Sequence, residues 1–271
     1  MLAVAKKPIG TVTRGTTNPN RLRRVDRFIA ELAVLKQVDA PIVVDLGFGA
    51  SAITALELLD RLAKRNPRVT VVGVEIDRER VATAAPHESK HLKFVHGGFE
   101  TPLPQGLGAN RPVEVIRALN VLRQYNEADV ADAWRLMQSR LSADGRIIEG
   151  TCDELGRYAS WVTLNSNGPL TFTVSLRLQG LELPSKVAER LPKALIHHNV
   201  SGEKIHEFLA ALDGAWLKNA PLATFGSVQR FVASCQHLAE AGWPIVKNAK
   251  RWRLGELTVD WSAVAPVSAA K

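Results

Sequence analysis

Cysteine is nearly absent from this chain. The only two, Cys152 and Cys235, lie far apart and in no metal-ligand spacing, which excludes a disulfide-stapled framework or a cysteine zinc site and leaves two ordinary reduced thiols. Long apolar runs are missing too. No stretch approaches the roughly 18 consecutive apolar residues of a membrane span, and the apolar start Met1 to Ala5 is too brief for the core of a signal peptide. A soluble, cytoplasmic protein with no membrane partner is the expectation. Acidic residues are scarce at the beginning: before residue 30, Asp26 alone opposes Lys6, Lys7, Arg14, Arg21, Arg23, Arg24 and Arg27. Such an arm either binds phosphate backbones in a salt-dependent way or serves as a solvated segment.

What is present suits a sizeable core. The chain has 271 residues, 46% of them hydrophobic, with a net charge of +8, enough for one large domain or a domain with an appendage. Strand and helix signals alternate through the first half. Ile42-Val43-Val44-Asp45-Leu46-Gly47-Phe48-Gly49 is an apolar run closed by an acid and two glycines, followed by a helical pattern from Ala52 to Leu62. This is strand, tight turn and helix. Without a Cβ, Gly47 and Gly49 let the backbone bend sharply and approach a ligand, and the helix behind aims unpaired N–H groups at the same place.

Two cofactor classes use such a turn. A dinucleotide site wants a third small residue, for which Ala52 is available, and an acid about 20 positions on, but Glu75 comes later than that. Asp45 would repel a pyrophosphate and attract an ammonium group. The second strand, Val69 to Glu75, ends at the sheet edge beside the glycine turn, where a carboxylate can accept both hydroxyls of a ribose. Asp77 then caps the next helix.

V-D-L-G-F-G followed by V-G-V-E-I-D resembles the first two motifs of class I S-adenosylmethionine-dependent methyltransferases. Later stretches extend the resemblance. Leu92 to Val95 leads into His96-Gly97-Gly98-Phe99-Glu100, where the family often carries an aspartate for the adenine amino group; here Phe99 or Glu100 stands near that position. Val113 to Asn120 and Leu141 to Gly150 look like the fourth and fifth strands, and R-A-L-N-V-L-R-Q-Y is similar to a segment of the chemotaxis-receptor methyltransferases. The resemblance implies S-adenosyl-L-methionine as cofactor, bound by Asp45, Leu46, Gly47, Phe48, Gly49, Glu75, Ile76, Gly98, Phe99 and Asn120. Arg14, Asn18 and Asn20, in the segment that often closes over the cofactor, are further candidates for carboxylate or substrate contact. Tyr125, Glu149 and His198 are the candidates for a base. No metal is implied, since His197 and His198 are adjacent rather than helically spaced.

The fold expectation is α/β, a doubly wound, mostly parallel sheet with an antiparallel, partly helical C-terminal extension. The expected parts are a basic arm and helix (1–38), a cofactor-binding Rossmann-like core (39–152), an acceptor-selecting region (153–263) and a tail (264–271). Within the third part, Tyr158 to Leu164 and Leu170 to Leu178 flank Asn165-Ser-Asn-Gly168 as a hairpin. Gly202 to Trp216 and Ser227 to Ala241 are helical, and Arg251 to Trp261 alternates like a last strand. Its basic residues, interleaved with Trp216, Trp243 and Trp252, either follow a nucleic-acid strand or lie over a small tryptophan core. The expected activity is methyl transfer, and the basic charge leans the acceptor toward RNA. The alternatives are a small-molecule or protein acceptor, or a non-catalytic cofactor-binding protein.

Overall fold

The computed structural model describes residues 7–267. Lys6 of the basic arm, the apolar start 1–5 and residues 268–271 of the expected tail lie outside that range. Two helices, α1 (Arg23–Ile29) and α2 (Ala33–Gln37), replace the single helix that the spacing from Leu22 to Leu35 predicts. The chain is extended at Leu32 (ψ 134°), and the break lets Ile29 and Leu35 both reach the core. Strands and helices then alternate: β1 (Ile42–Leu46), α3 (Ile53–Ala63), β2 (Thr70–Glu75), α4 (Arg78–Ala84), β3 (Leu92–His96), β4 (Val113–Leu119), α5 (Val130–Gln138) and β5 (Leu141–Cys152). The rest comprises β6 (Tyr158–Asn165), β7 (Gly168–Leu176), α6 (Lys193–Ile196), α7 (Lys204–Lys218), α8 (Ser227–Glu240), α9 (Ala249–Trp252) and β8 (Glu256–Asp260).

All eight strands form one sheet in the order β3-β2-β1-β4-β5-β6-β7-β8. Strands β1 to β5 are mutually parallel, and β6, β7 and β8 are added antiparallel. This is the mixed α/β sheet that the sequence predicts. Both faces are covered, so β1 is buried at every position. Val43 points into one hydrophobic cluster, beneath α1 and α3, while Ile42, Val44 and Leu46 point into the other, beneath α5, α7 and α8. That alternation is the two-residue period of a strand. The helices match it: α3 buries Thr54, Ala55, Leu58 and Leu62, and α7 buries Ile205, Phe208, Leu209, Leu212 and Trp216, each a single stripe.

The chain turns from β5 through residues 153–157 into antiparallel β6, the hairpin turn falls at Asn165–Gly168 where it is predicted, and the helices α6 to α9 intervene before β8 pairs with β7. One detail differs from the expectation. The last strand is shorter than Arg251 to Trp261. Asn248 caps α9 by accepting from the Arg251 N–H, Gly255 turns the chain at φ 79°, and pairing with β7 begins only at Glu256.

In an open sheet of this order the chain reverses direction between β1 and β4, and a crevice opens at the carboxyl ends of those strands. Residues 7–20 run across this edge with no secondary structure of their own.

Candidate functional site

The glycine bend forms as predicted. Gly47 and Gly49 adopt φ of 68° and 88°, a region closed to most side chains. A Cβ on Gly47 would lie 2.7 Å from Val121. Glu75, at the end of β2 and 2% exposed, reaches across to the bend: its Oε2 accepts from the Gly49 N–H at 3.0 Å and its Oε1 from the Ile76 N–H at 2.9 Å. Asp77 caps α4 by accepting from Glu79 and Arg80.

Asp45 has a different situation from the one its sequence position suggests. Its carboxylate faces a buried arginine that the strand pattern hides. Arg117 of β4 donates Nε to Asp45 Oδ1 at 3.0 Å, and its Nη2 lies 2.6 Å from Oδ2, which also accepts from the Thr54 hydroxyl at 3.0 Å. The same guanidinium pairs with Asp26 of α1, which Arg61 of α3 also holds at 2.6 Å. Burial disfavours the charged guanidinium, but Asp45 and Asp26 more than offset it and keep Arg117 protonated. Asp45 therefore ties the bend to α1, α3 and β4, and its charge is largely neutralised before any ligand arrives.

Two cavities border the bend. The smaller, about 20 Å³, lies against Leu46, Gly47, Glu75, Ile76, Gly98, Phe99, Val121 and Tyr125. It is small because residues 9–13 fill the slot. The Phe99 N–H donates to the Ile9 carbonyl at 2.9 Å, the Ile9 N–H donates to Glu100 Oε2 at 2.9 Å, and the Thr11 N–H donates to the Tyr125 hydroxyl at 2.6 Å. Gly98 is glycine because a Cβ there would collide with the Ile9 carbonyl. Further on, the Thr13 carbonyl accepts from Arg80 and the Gly15 carbonyl from the Ala50 N–H, so the arm spends the first free amide of the bend. The arm thus follows the path a ligand would take across the sheet edge.

The larger cavity, about 600 Å³, opens on the other side of the bend, over Asp45, Gly49 and Asn120, and is bounded by the arm at Thr13 to Thr17. The Asn120 amide is already used: its Oδ1 accepts from the Cys152 N–H at 2.9 Å and its Nδ2 donates to Cys152 Sγ at 3.2 Å, which fixes the end of β4 to the end of β5. Leu46 walls the slot, while the Phe48 ring turns into the core, edge-on to Phe94 at 5.0 Å.

Other sequence candidates divide sharply. Arg14 lines the larger cavity. Asn18 donates to the Glu154 carbonyl at 3.1 Å, and Asn20 engages Glu57 and Arg61, so both brace the arm. Tyr125 borders the slot, with its hydroxyl held by Thr11. Glu149 is fully buried in β5 and lines neither cavity. His198 is flanked by Glu127 at 2.6 Å and Glu203 at 3.2 Å; burial opposes its charge, but the two carboxylates outweigh that and raise its pKa. Neither of these two is placed to act as a base at the bend. Of the tryptophans, Trp216 is core and Trp252 nearly so.

Strand order, glycine bend and acid-terminated β2 define an open, Rossmann-like α/β protein with its binding edge at the β1/β4 reversal. No protein-family model matches the chain, and no curated protein matches it in sequence. Among solved structures it is similar to an S-adenosylmethionine-dependent methyltransferase of Leishmania major, at 19% identity and TM-score 0.35 over 49% of this chain and 50% of that one. It is also similar to the mitomycin 7-O-methyltransferase MmcR, at 16% identity and TM-score 0.36 over 48% of this chain and 36% of that one. A third match is the plantazolicin methyltransferase BpumL in complex with S-adenosylhomocysteine, at 12% identity and TM-score 0.37 over 49% of each chain. The chain spans about half or less of the length of these relatives.

Proposed function

We propose that this protein is an S-adenosylmethionine-dependent methyltransferase acting on a small molecule. The observation that carries the reading is the placement of Glu75: a buried carboxylate at the end of β2, bonded to the bend, beside a slot walled by Ile76, Phe99 and Val121. Oε1 already accepts from the Ile76 and Asp77 N–H groups, whereas Oε2 accepts only from the Gly49 N–H, with the Arg80 guanidinium 3.7 Å away, and keeps lone-pair capacity that suits a ribose hydroxyl. The apolar walls suit a flat base, and the bare glycines suit the aminoacyl end. The bound cofactor supplies a methyl group activated on a sulfonium. The protein's part is to align and to keep water away, so no dedicated base is required for an acceptor that is already nucleophilic. Asp45 serves by holding the bend in place through Arg117 rather than by gripping the ligand directly.

The RNA acceptor suggested by charge loses part of its support: Arg21 donates to the carbonyls of Thr16, Cys152 and Asp153 and Arg24 to that of Leu254, while Lys7, Arg14, Arg23 and Arg27 stay exposed. A cavity of about 600 Å³ has the size of a small-molecule site.

The cofactor enters the slot only when residues 9–13 leave it. Four arm hydrogen bonds at about 1 kcal/mol net each, less the entropy regained by a freed segment, imply that a variant lacking residues 1–12 binds S-adenosylhomocysteine about ten- to a hundredfold more tightly than the full chain. Calorimetry on both proteins tests this. Glu75→Gln should weaken binding by about tenfold or more, and NAD should not compete. Absence of S-adenosylhomocysteine binding even in the shortened variant would overturn the assignment.

A further inference from the structure

The larger cavity carries charge that the glycine bend does not account for. Four arginines from different parts of the chain line it: Arg14 from the arm, Arg21 ahead of α1, Arg123 in the turn after β4, and Arg190 at the end of the helical run Pro184–Arg190. Only two acids share the lining. Asp45 is neutralised from behind by Arg117, and Glu154, largely exposed, lies 3.3 Å from Arg190. Arg21 is spent on three backbone carbonyls, and Arg123 gives one nitrogen to the Glu189 carbonyl at 2.9 Å. The Arg14 guanidinium has no hydrogen-bond or ion-pair partner among the described residues; only its backbone N–H is bound, by Gln124. Burial, and then the like charges of Arg190 and Arg14, pull the pKa of Arg123 down. A protein gains nothing from gathering like charges over a half-enclosed space unless an anion sits among them.

We infer that this cavity binds the oxyanion of a small acceptor, a carboxylate or a phosphate monoester, with Arg123 and Arg190 as its specificity-determining residues and Arg14 closing over it from the arm. That the ligand is an acceptor rests on the methyl-transfer reading; that it is an anion does not. Arg123 and Arg190 line the larger cavity and not the slot, which leaves them available to a second molecule. The two side chains are separable from the fold. The Arg190 carbonyl, not its guanidinium, receives the Thr151 and Ser160 hydroxyls, so a substitution there leaves those bonds in place.

The test is calorimetric titration of the full chain with benzoate, inorganic phosphate and, as a neutral control, benzyl alcohol. At least one anion should bind and the alcohol should not, and Arg123→Gln and Arg190→Gln should each weaken that binding by about tenfold, the value of one charge-assisted hydrogen bond. Benzoate without phosphate marks a carboxylate acceptor, and the reverse marks a phosphorylated one. Lys250→Gln, at an exposed position of α9 outside the cavity, should change nothing, and Arg123→Lys should keep most of the affinity if a Gln variant folds poorly. Binding of neither anion, or equal losses in the Lys250 control, overturns the inference. S-adenosylhomocysteine titrated into the same variants separates the two readings. Unchanged cofactor affinity supports an acceptor site, whereas loss of cofactor affinity assigns the arginines to the cofactor's own carboxylate and overturns it. Anion binding with no cofactor binding, even after removal of residues 1–12, keeps the site and removes methyl transfer. Single-stranded RNA that displaces the anion with the same arginine dependence would overturn the small-molecule assignment.

Discussion

Replacing Arg117 with leucine is expected to cost about 3–5 kcal/mol of folding stability, the largest single-residue effect outside the hydrophobic core. Its side chain is completely buried, and so is the Asp26 carboxylate, while that of Asp45 is 4% exposed. Truncation leaves Asp45 with one hydroxyl donor, Thr54, and Asp26 with Arg61 as its remaining cation. Two carboxylates would then stand in a low-dielectric interior with one charge partner between them. A triple variant, Asp26→Leu with Arg117→Met and Asp45→Leu, removes all three charges together and should recover most of the loss, because the penalty lies in the unpaired charge rather than in the missing contacts. Urea denaturation midpoints of the three proteins decide the matter. A single variant within about 1 kcal/mol of wild type would mean that the network is worth no more than a surface pair.

The network also explains why the sheet was easier to read from sequence than the site. The strands β1 and β2, the glycine bend, the Asp77 cap and the hairpin at Asn165 are written in local patterns a few residues long, where burial period and turn chemistry agree. Arg117 carries no such mark: within Val113 to Leu119 it reads as a polar interruption, and its partners lie 72 and 91 positions away. Asp45 is legible as an acid at the bend but not as one already paired. The arm is legible as irregular and basic, yet what it does depends on backbone groups meeting Phe99, Glu100 and Tyr125, and backbone groups have no side-chain signature. The misplaced start of β8 has the same origin, since the alternating pattern from Arg251 onward is broken by an asparagine cap and a glycine turn that act first.

The arm and the network bear on one another. Asn20, at the root of the arm, is held by Glu57 and Arg61, and Arg61 in turn holds Asp26. The arm is therefore anchored firmly at residue 20 and only by a few backbone hydrogen bonds at Ile9 and Thr11, which puts the weak end over the slot and the strong end beside the arginine-lined cavity. On the proposed reading, release of residues 9–13 would open the slot while Arg21, Arg123 and Arg190, which lie outside that segment, still line the larger cavity, an order that suits cofactor exchange.

Glu149→Gln is expected to stabilise the protein, and by an amount that depends on pH. The Glu149 carboxyl is wholly buried, neither oxygen makes a hydrogen bond of good geometry, and burial pushes its pKa from 4.5 up to about 8, with a weak interaction with the Trp134 indole opposing only in part. In the unfolded chain the group ionises near its ordinary value. Between those two values the native state holds a proton that the unfolded state has lost, so raising the pH favours unfolding. The group's contribution is fully present below about pH 4.5, declines as pH rises, and levels off above about pH 8. At pH 7 the gap of roughly 2.5 units corresponds to about 3 kcal/mol, on the order of 1.4 kcal/mol per unit. Glutamine keeps the shape and cannot ionise, so the variant should melt like wild type near pH 4.5 and progressively higher than wild type up to pH 8. His198, whose raised pKa gives a loss of the same sign, is common to both proteins and cancels in the difference. Melting curves of the two proteins that run parallel from pH 5 to pH 9 would show that Glu149 is solvated or paired in the native state, and the buried neutral acid would have to be given up.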